Sequence, residues 1–228
     1  MKVFKEVRII LDMKSVNNPI SAVIFDIGGV LSLGKSKDIN LQGHRTYGVH
    51  QYISKKLHIP LDQWFDAIDS TYADAIEGKI SEKKALKIIS KNTNIPEAKL
   101  RKIILKSYKK NFKHNKKLYK FAFKLKKAGY KIAILSDQWP LSREVLVHEK
   151  FTKYFHPVVV SCDIGIRKPN PKIYKLILKK LKLPARECVF IDNQTWNLKP
   201  AKKLGFKTVL FKDNKQLFKQ LFKLGIAV

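Results

Sequence analysis

Cysteine is scarce in this chain: only Cys162 and Cys188 occur among the 228 residues. Each lies beside an apolar run and not in paired loop positions, so the sequence lacks the framework of a disulfide-stapled secreted domain. We therefore expect two reduced, buried thiols in a cytoplasmic protein.

Long apolar runs are also absent. No run approaches the roughly 18 apolar residues that a membrane-spanning helix needs, and charges interrupt residues 1–8 too often for a secretory signal. We therefore expect no membrane partner. Hydrophobic residues still make up 45% of the chain, which is enough to bury the core of one large domain.

Acidic residues are few: 18 Asp and Glu face 47 Lys and Arg, which gives a formal net charge of +29. Such a charge attracts polyanions, including nucleic acid, as well as phosphorylated small molecules. The lysines are spread over many predicted helices, so a composition set by a lysine-rich proteome or high internal salt explains them equally well.

Short apolar runs alternate with helical patterns along the second half of the chain. Asn115 and Gly129 bracket one predicted helix, Pro171 begins another, and Gly205 ends a third. This alternation predicts a three-layer, Rossmann-like α/β fold with a parallel sheet of about five strands and helices on both faces. The predicted strands are the run ending at Asp26 and residues 131–136, 157–161, 188–192 and 207–211.

Residues 33–112 break this alternation, and their spacing predicts a small helical cap inserted after the first strand. The core domain is then residues 21–32 and 113–228, preceded by an N-terminal extension over residues 1–20. One cap helix carries apolar residues that we expect to form cap core and not ligand contacts. They are Trp64, Phe65, Ile68, Tyr72 and Ile76.

Polar residues follow the predicted strands where each strand ends. Because the carboxyl ends of parallel strands meet at one edge of the sheet, these residues should converge there and form a ligand site. They are Asp26, Ser136 with Asp137, Ser161 with Asp163, and Asp192 with Asn193.

Four of these segments, in order, resemble the motifs of the haloacid dehalogenase-like hydrolase superfamily, and in particular a subgroup with a small helical cap. The resemblance covers about residues 21–211. Asp26 in residues 25–31 matches the first motif, whose form here is Asp-x-Gly-Gly-Val, and Ser136 in residues 134–137 matches the second. Lys168 in residues 161–171 matches the third, and Asp192 in residues 189–193 matches the fourth.

The resemblance implies a role for each matched residue. Asp26 would be the nucleophile that forms an aspartyl-phosphate, with Lys168 and Ser136 as its catalytic partners. Ser136, Asp137 and Lys168 would bind the substrate. Mg²⁺ would be the cofactor, and its ligands would be Asp26, the Gly28 carbonyl, Asp192 and Asn193.

The chain departs from the family pattern at two positions. Gly28 stands where most phosphatases of the superfamily carry an aspartate that protonates the leaving group. General acid catalysis of this kind typically raises the rate by about 10² to 10⁴-fold. Asn193 stands where a second acid is usual, so the metal site has one negative charge fewer. We therefore expect a weak affinity for Mg²⁺.

The leading hypothesis is a Mg²⁺-dependent phosphatase that hydrolyses a small phosphorylated metabolite. The alternative is a catalytically weak protein of the same fold that binds nucleic acid or another polyanion through its basic surface. A metal-independent dehalogenase ranks lower, since such enzymes usually carry an aromatic residue at the position of Gly28. The sequence assigns no oligomeric state.

Four further residues lie near the expected site. His44, Gly48 and His50 fall in the cap, which in this family covers the active site, and a histidine there could contact substrate or transfer a proton. We expect these residues on the surface instead. Trp139 follows the second motif, and the sequence leaves open whether it faces the site or anchors the loop.

Overall fold

The computed structural model describes residues 20–35 and 47–228. The predicted N-terminal extension, except for Ile20, lies outside the described residues, as does His44. The core is a five-stranded, fully parallel sheet. Its strands are β1 (Ala22–Phe25), β4 (Lys131–Ser136), β5 (Val158–Val160), β6 (Cys188–Asp192) and β7 (Lys207–Leu210). They lie in the order β5-β4-β1-β6-β7.

Helices cover both faces of the sheet, which confirms the predicted three-layer α/β fold. The side chains of Val23 and Phe25 pack with helices α5 (Lys116–Lys127) and α11 (Asn214–Lys223). The alternate residues Ala22 and Ile24 pack with α9 (Pro171–Leu181) and α10 (Thr195–Lys203) on the opposite face. Successive side chains of a strand point to opposite faces, so a continuous apolar strand needs two helical layers.

The helix ends explain why the alternation could be read from the sequence. The side chain of Asn115 accepts a hydrogen bond from the Leu118 backbone N–H, which caps α5 as predicted. The Asn170 side chain caps α9 in the same way, and Pro171 occupies the first turn, where a missing N–H costs nothing.

A helical insertion follows the first strand, as the sequence predicted. Its two ends lie side by side, because β2 (Ser32–Gly34) pairs antiparallel with β3 (Phe112–His114). The Asn115 side chain also donates to the Val30 carbonyl over 3.0 Å and so fixes the return of the chain to the core. The described cap helices are α1 (Tyr47–Leu57), α2 (Leu61–Ile76), α3 (Glu82–Thr93) and α4 (Glu97–Asn111).

Shorter elements complete the described chain: α6 (Pro140–Leu146), α7 (Glu149–Thr152), α8 (Ser161–Ile164) and a 3₁₀ turn at Ala185–Glu187. Across residues 20–35 and 47–228, none of the helices is both long and apolar enough to span a bilayer. Both cysteines are free, and Cys188 is buried as expected. Cys162 is only partly buried, because it lies in the short helix α8 at the sheet edge, so the prediction of a buried thiol is wrong there.

The cap and the core meet along a tight seam beside α8. Gly78, in the turn after α2, has a φ of +65°, and a Cβ atom there would lie 2.3 Å from the Cys162 carbonyl oxygen. Next to it, Glu77 of the cap pairs with Arg167 of the core over 3.0 Å. Arg101 of α4 reaches both Glu82 and Glu144, so a second set of ion pairs joins the cap to α6.

Replacing Gly78 with alanine should destabilise the protein more than the same change at Gly129. Both glycines have positive φ, so each substitution costs about 1 to 2 kcal/mol of backbone strain. Nothing lies within 4 Å of a Cβ at Gly129, whereas Gly78→Ala also meets the Cys162 carbonyl and should cost about 1 to 3 kcal/mol more. Urea denaturation of the two variants measures the difference, and equal losses would contradict the tight seam.

Candidate active site

Three neighbouring strands bring the central polar residues together. Asp26 directly follows β1, while Ser136 and Asp192 are the last residues of the flanking strands β4 and β6. The register aligns Phe25 with both Ile134 and Ile191, and the Asp26 N–H donates to the Ile191 carbonyl over 2.9 Å. The predicted convergence at one sheet edge therefore holds for these three positions.

Lys168 joins two of the carboxylates from a loop more than a hundred residues away from Asp26. Its Nζ lies 2.6 Å from Asp192 Oδ2 and 3.2 Å from Asp26 Oδ1, and its side chain is 1% exposed. The Lys168 backbone N–H donates to Asp137 Oδ1 over 3.1 Å, which holds the loop against the end of β4. The site thus has a buried cation between Asp26 and Asp192.

Burial and neighbouring charges act in opposite directions in this cluster. Burial raises the pKa of Asp26 to about 7, although the Lys168 ammonium opposes the rise. Burial alone would lower the pKa of Lys168, but the carboxylates of Asp192 and Asp26 outweigh it and raise that pKa above its ordinary value. Lys168 therefore stays charged, and its charge favours the ionised form of Asp26.

Gln138 organises the end of β4, although no sequence pattern singles it out. Its Nε2 donates to Ser136 Oγ over 3.0 Å, and its backbone N–H donates to Ser161 Oγ over 3.0 Å. Ser161 therefore supports the loop from behind. Asp163 does not join the site, because it is exposed and pairs with Arg143 over 2.7 Å.

Buried amide oxygens lie beside Asp192. The Gln194 N–H donates to Asp192 Oδ1 over 2.7 Å, and Asn197 Nδ2 donates to Asp192 Oδ2 over 3.1 Å. The Oδ1 atoms of Asn193 and Asn197 are buried and accept no hydrogen bond from the described residues. A buried carbonyl oxygen without a donor is stabilised by a cation or a water molecule.

The available oxygens suit Mg²⁺, which prefers a few carboxylate and carbonyl ligands together with water and phosphate oxygens. The predicted ligands Asp26, Gly28 and Asn193 line one cavity, whereas Asp192 is fully buried behind Lys168 and does not line it. In the described part of the chain, no group of three or more Asp, Glu, His or Cys side chains could hold a metal. The weak affinity for Mg²⁺ stays a prediction.

The two glycines after Asp26 differ in their surroundings. A Cβ at Gly29 would lie 2.5 Å from Asn193 Nδ2, so this glycine lets the chain pass close to the end of β6. A Cβ at Gly28 would meet nothing closer than Gln138 Nε2 at 4.0 Å. The space beside Gly28 is open, and packing does not require a glycine there.

A cavity of about 450 Å³ lies between the sheet edge and the cap. Its core side is polar and includes Asp26, Asp137, Gln138, Lys168 and Asn193. Its cap side is largely apolar and aromatic: Phe65, Tyr72, Ile76, Tyr108 and Phe112, together with His50. Arg167 and Trp196 also line it. The cavity can therefore hold an anionic group at the sheet edge and an apolar group under the cap.

Part of the aromatic stripe on α2 lines this cavity. Trp64 and Ile68 are buried core residues as expected, and Tyr72 and Ile76 pack against the core while they also line the cavity. Phe65 is exposed in the cavity wall, so the prediction of cap core is wrong for this residue. Apolar periodicity identifies the apolar face of a helix, but it does not distinguish a face that packs against protein from one that lines a cavity. Trp139 is buried outside the cavity and anchors its loop through a 2.9 Å hydrogen bond from Nε1 to the Tyr108 hydroxyl.

His50 also lies in the cavity wall and not on the surface, so the expectation for this residue is wrong. Only 8% of it is exposed, and its Nδ1 accepts a hydrogen bond from Trp64 Nε1 over 2.9 Å. Burial lowers the pKa of His50 to about 4. The ring is therefore neutral at pH 7 and carries its proton on Nε2. Gly48 is buried within α1.

An aspartate at the end of a central parallel strand, a buried lysine beside it and a helical insertion after that strand define a class of α/β hydrolases. The chain belongs to the haloacid dehalogenase-like hydrolase family, whose family model matches residues 20–205.

Solved structures and characterised relatives share this family. A HAD family enzyme from Bacteroides thetaiotaomicron, in its magnesium complex, aligns over 89% of this chain and 100% of its own with a TM-score of 0.70 at 20% identity. Bifunctional epoxide hydrolase 2 of Rattus norvegicus is 33% identical over 48% of this chain and 21% of its own length. Glyceraldehyde 3-phosphate phosphatase of Pyrococcus abyssi (strain GE5 / Orsay) is 32% identical over 42% of this chain and 41% of its own.

His50 should make the folded protein sensitive to mild acid. Its pKa is near 6.5 in the unfolded chain and about 4 when folded, so the unfolded state binds the extra proton as pH falls through this range. Between pH 7 and pH 5 this linkage should remove about 2 kcal/mol of stability. His50→Gln retains an acceptor for Trp64 Nε1 but does not titrate, so urea denaturation should show a smaller loss. Identical losses in the two proteins would contradict the buried neutral histidine.

Proposed function

We propose that this protein is a Mg²⁺-dependent phosphatase that hydrolyses a small phosphorylated metabolite through an aspartyl-phosphate at Asp26. The observation that carries the proposal is a buried aspartate, 3.2 Å from the Lys168 ammonium, at the floor of a cavity of about 450 Å³. The archaeal relative that acts on glyceraldehyde 3-phosphate supports the same reaction type.

In this reaction, a carboxylate oxygen of Asp26 attacks phosphorus while the bond from phosphorus to the leaving oxygen breaks. The leaving oxygen takes the bonding electron pair, and a water molecule later hydrolyses the aspartyl-phosphate to release phosphate. Lys168 pairs with Asp26 and the Ser136 hydroxyl hydrogen-bonds to it; both would hold the phosphoryl oxygens, with Asp137 fixing the Lys168 loop. A fixed cation and hydroxyl stabilise charge that develops on those oxygens.

Asp26, the Gly28 carbonyl, Asp192 and Asn193 would hold Mg²⁺. When bound, the ion would neutralise phosphate charge and orient the phosphoryl group. Asn193 contributes a neutral oxygen, so substrate phosphate would supply part of the negative charge that the metal needs.

Asp26→Asn should abolish Mg²⁺-dependent phosphate release, because the amide is not a nucleophile for phosphorus. The loss should be at least about 10³-fold. The assay measures phosphate release from a panel of phosphorylated metabolites, with Mg²⁺ and with EDTA. Asp163→Asn is the matched control, since Asp163 is exposed and outside the cavity, and it should retain activity.

Two outcomes would contradict the proposal. One is the absence of turnover on the whole panel at saturating Mg²⁺. The other is phosphate release that Asp26→Asn leaves unchanged. Halide release from 2-haloacids without added metal would favour the dehalogenase hypothesis instead.

A second candidate function is binding of single-stranded nucleic acid, and a basic groove on the face of α5 and α11 favours it. Phe222 is 59% exposed there, and the Phe121 and Phe218 rings lie 4.4 Å apart. Aromatic rings that can stack on bases beside cations that contact phosphates are typical of such binding. This basic groove is lined by Lys117, Lys120, Phe121, Lys124, Phe218, Phe222 and residues 226–228.

Replacing Lys117, Lys120 and Lys124 together with alanine should weaken binding of a single-stranded RNA and lower its salt dependence. Loss of three phosphate contacts should reduce the slope of log affinity against log salt by about 2. The matched control replaces Lys175, Lys179 and Lys180, which lie on α9 at the opposite face. Equal effects of the two triple variants would show that binding depends on net charge alone and would exclude a groove-specific site.

A further inference from the structure

The cavity has an open space beside the nucleophile where a proton donor could stand. Gly28 lies two residues after Asp26, and a Cβ there would be 4.0 Å from its nearest neighbour, Gln138 Nε2. The φ of Gly28 lies outside the left-handed region, so the backbone would also accept a side chain. The site therefore has room for an acid next to Asp26 and does not carry one.

Another titratable group of the cavity could substitute for this acid. Within residues 20–35 and 47–228, the titratable groups that line the cavity are Asp26, His50, Tyr72, Tyr108, Asp137, Arg167 and Lys168. Lys168 is held as a cation between Asp192 and Asp26, and Arg167 pairs with Glu77 over 3.0 Å. Neither is an efficient proton donor near neutral pH, because an acid acts best when its pKa is near the working pH.

The cap residues of this set are equally unsuited. Tyr72 and Tyr108 hydrogen-bond to each other, and burial raises the pKa of both. Burial lowers the pKa of His50 and keeps its ring neutral, and Trp64 Nε1 donates to its Nδ1, so His50 can donate a hydrogen bond from Nε2 but has no acidic proton. Asp137 is the remaining carboxyl group: burial raises its pKa, whereas the Lys168 ammonium and the 3.1 Å hydrogen bond from the Lys168 backbone N–H favour its ionised form.

We propose that this site takes phosphate esters of phenols and comparably acidic hydroxyl groups, whose leaving group departs without a proton from the protein. The inference rests on the proposed phosphatase function. A phenol has a pKa of about 10, so its anion is a stable leaving group. An alcohol has a pKa near that of bulk water, so its oxygen needs a proton as the bond to phosphorus breaks.

The step balances without an acid from the protein. The Asp26 carboxylate forms a bond to phosphorus, the bond from phosphorus to the phenolic oxygen breaks, and its electron pair leaves as phenolate. The phenolate then takes a proton from solvent.

The cap wall matches the same substrates. Phe65, Tyr72, Tyr108 and Phe112 line the cavity from the cap, and Trp196 lines it from the core. Aromatic side chains pack against an aromatic ring by offset or edge-to-face contact. Shape and leaving-group chemistry therefore favour the same class of ester.

A series of three substrates distinguishes the effect of leaving-group acidity from the effect of ring recognition. The substrates are 4-nitrophenyl, phenyl and benzyl phosphate; benzyl phosphate keeps the ring but has an alcohol as leaving group. With the full chain and Mg²⁺, kcat/KM for benzyl phosphate should be at least about 10²-fold below that for phenyl phosphate. Comparable values for phenyl and benzyl phosphate would overturn the inference and leave the phosphatase function standing.

Two variants at Gly28 test the missing acid directly. Gly28→Asp should raise the benzyl-to-phenyl ratio of kcat/KM by about 10-fold or more, whereas the isosteric Gly28→Asn, which has no acidic proton, should leave the ratio low. The ratio is measured within one protein, so losses in folding or metal binding cancel. An equal rise in both variants would overturn the inference.

The same three substrates test whether Asp137 is the acid, and they separate the two proposals. If Asp137→Asn lowered kcat/KM for benzyl phosphate far more than for 4-nitrophenyl phosphate, Asp137 would be the acid and the inference would be wrong. Both proposals are supported if hydrolysis of 4-nitrophenyl phosphate is slow and depends on Asp26, and if kcat/KM falls steeply from 4-nitrophenyl to benzyl phosphate. Failure of all three substrates at saturating Mg²⁺ overturns the inference, whereas turnover on the metabolite panel would leave the phosphatase function standing.

Discussion

The buried contact of Lys168 with Asp192 and Asp26 is the constraint on which the site depends. Asp192 is fully buried and Asp26 nearly so, and a buried carboxylate without a partner costs several kcal/mol. Lys168 offsets that cost at both residues through distances of 2.6 and 3.2 Å. The same cation keeps Asp26 able to ionise although burial raises its pKa to about 7. One side chain thus stabilises the sheet edge and prepares its nucleophile.

Much of the surrounding architecture holds Lys168 in place. Its N–H donates to Asp137 at the end of β4, Asn170 caps the helix that begins at Pro171, and Asp192 ends β6. The Arg167–Glu77 pair and the close approach of Gly78 to Cys162 tie the cap to the same loop. The seam beside α8 therefore joins the cap directly to the loop that carries Lys168.

The core and the candidate catalytic residues could be predicted from the sequence because their signals are local. The apolar strands, the Asn115 and Pro171 helix starts, and an aspartate at a strand end each lie within a short segment. Parallel topology then brings distant strand ends together. The cap wall lacked such a signal: Phe65 and Trp64 are adjacent and equally apolar, yet one lines the cavity and the other is core. The placement of His50 depends on the Trp64 hydrogen bond, a contact between two helices that periodicity does not encode.

The net charge of the chain and the charge of the site act at different distances. Asp26, Asp137 and Asp192 face Arg167 and Lys168 at the sheet edge, so three formal negative charges meet two positive ones in a protein of net charge +29. Long-range attraction draws an anionic ester toward the surface and is screened within about 10 Å at ordinary salt. In the proposed function, a phosphoryl group inside the cavity would meet this cluster, where Lys168 and Arg167 carry the positive charge and Asp26 and Asn193 would help to hold Mg²⁺. The excess lysine would then promote encounter with anions, whereas selection among them would depend on the aromatic cap wall and on the open space at Gly28.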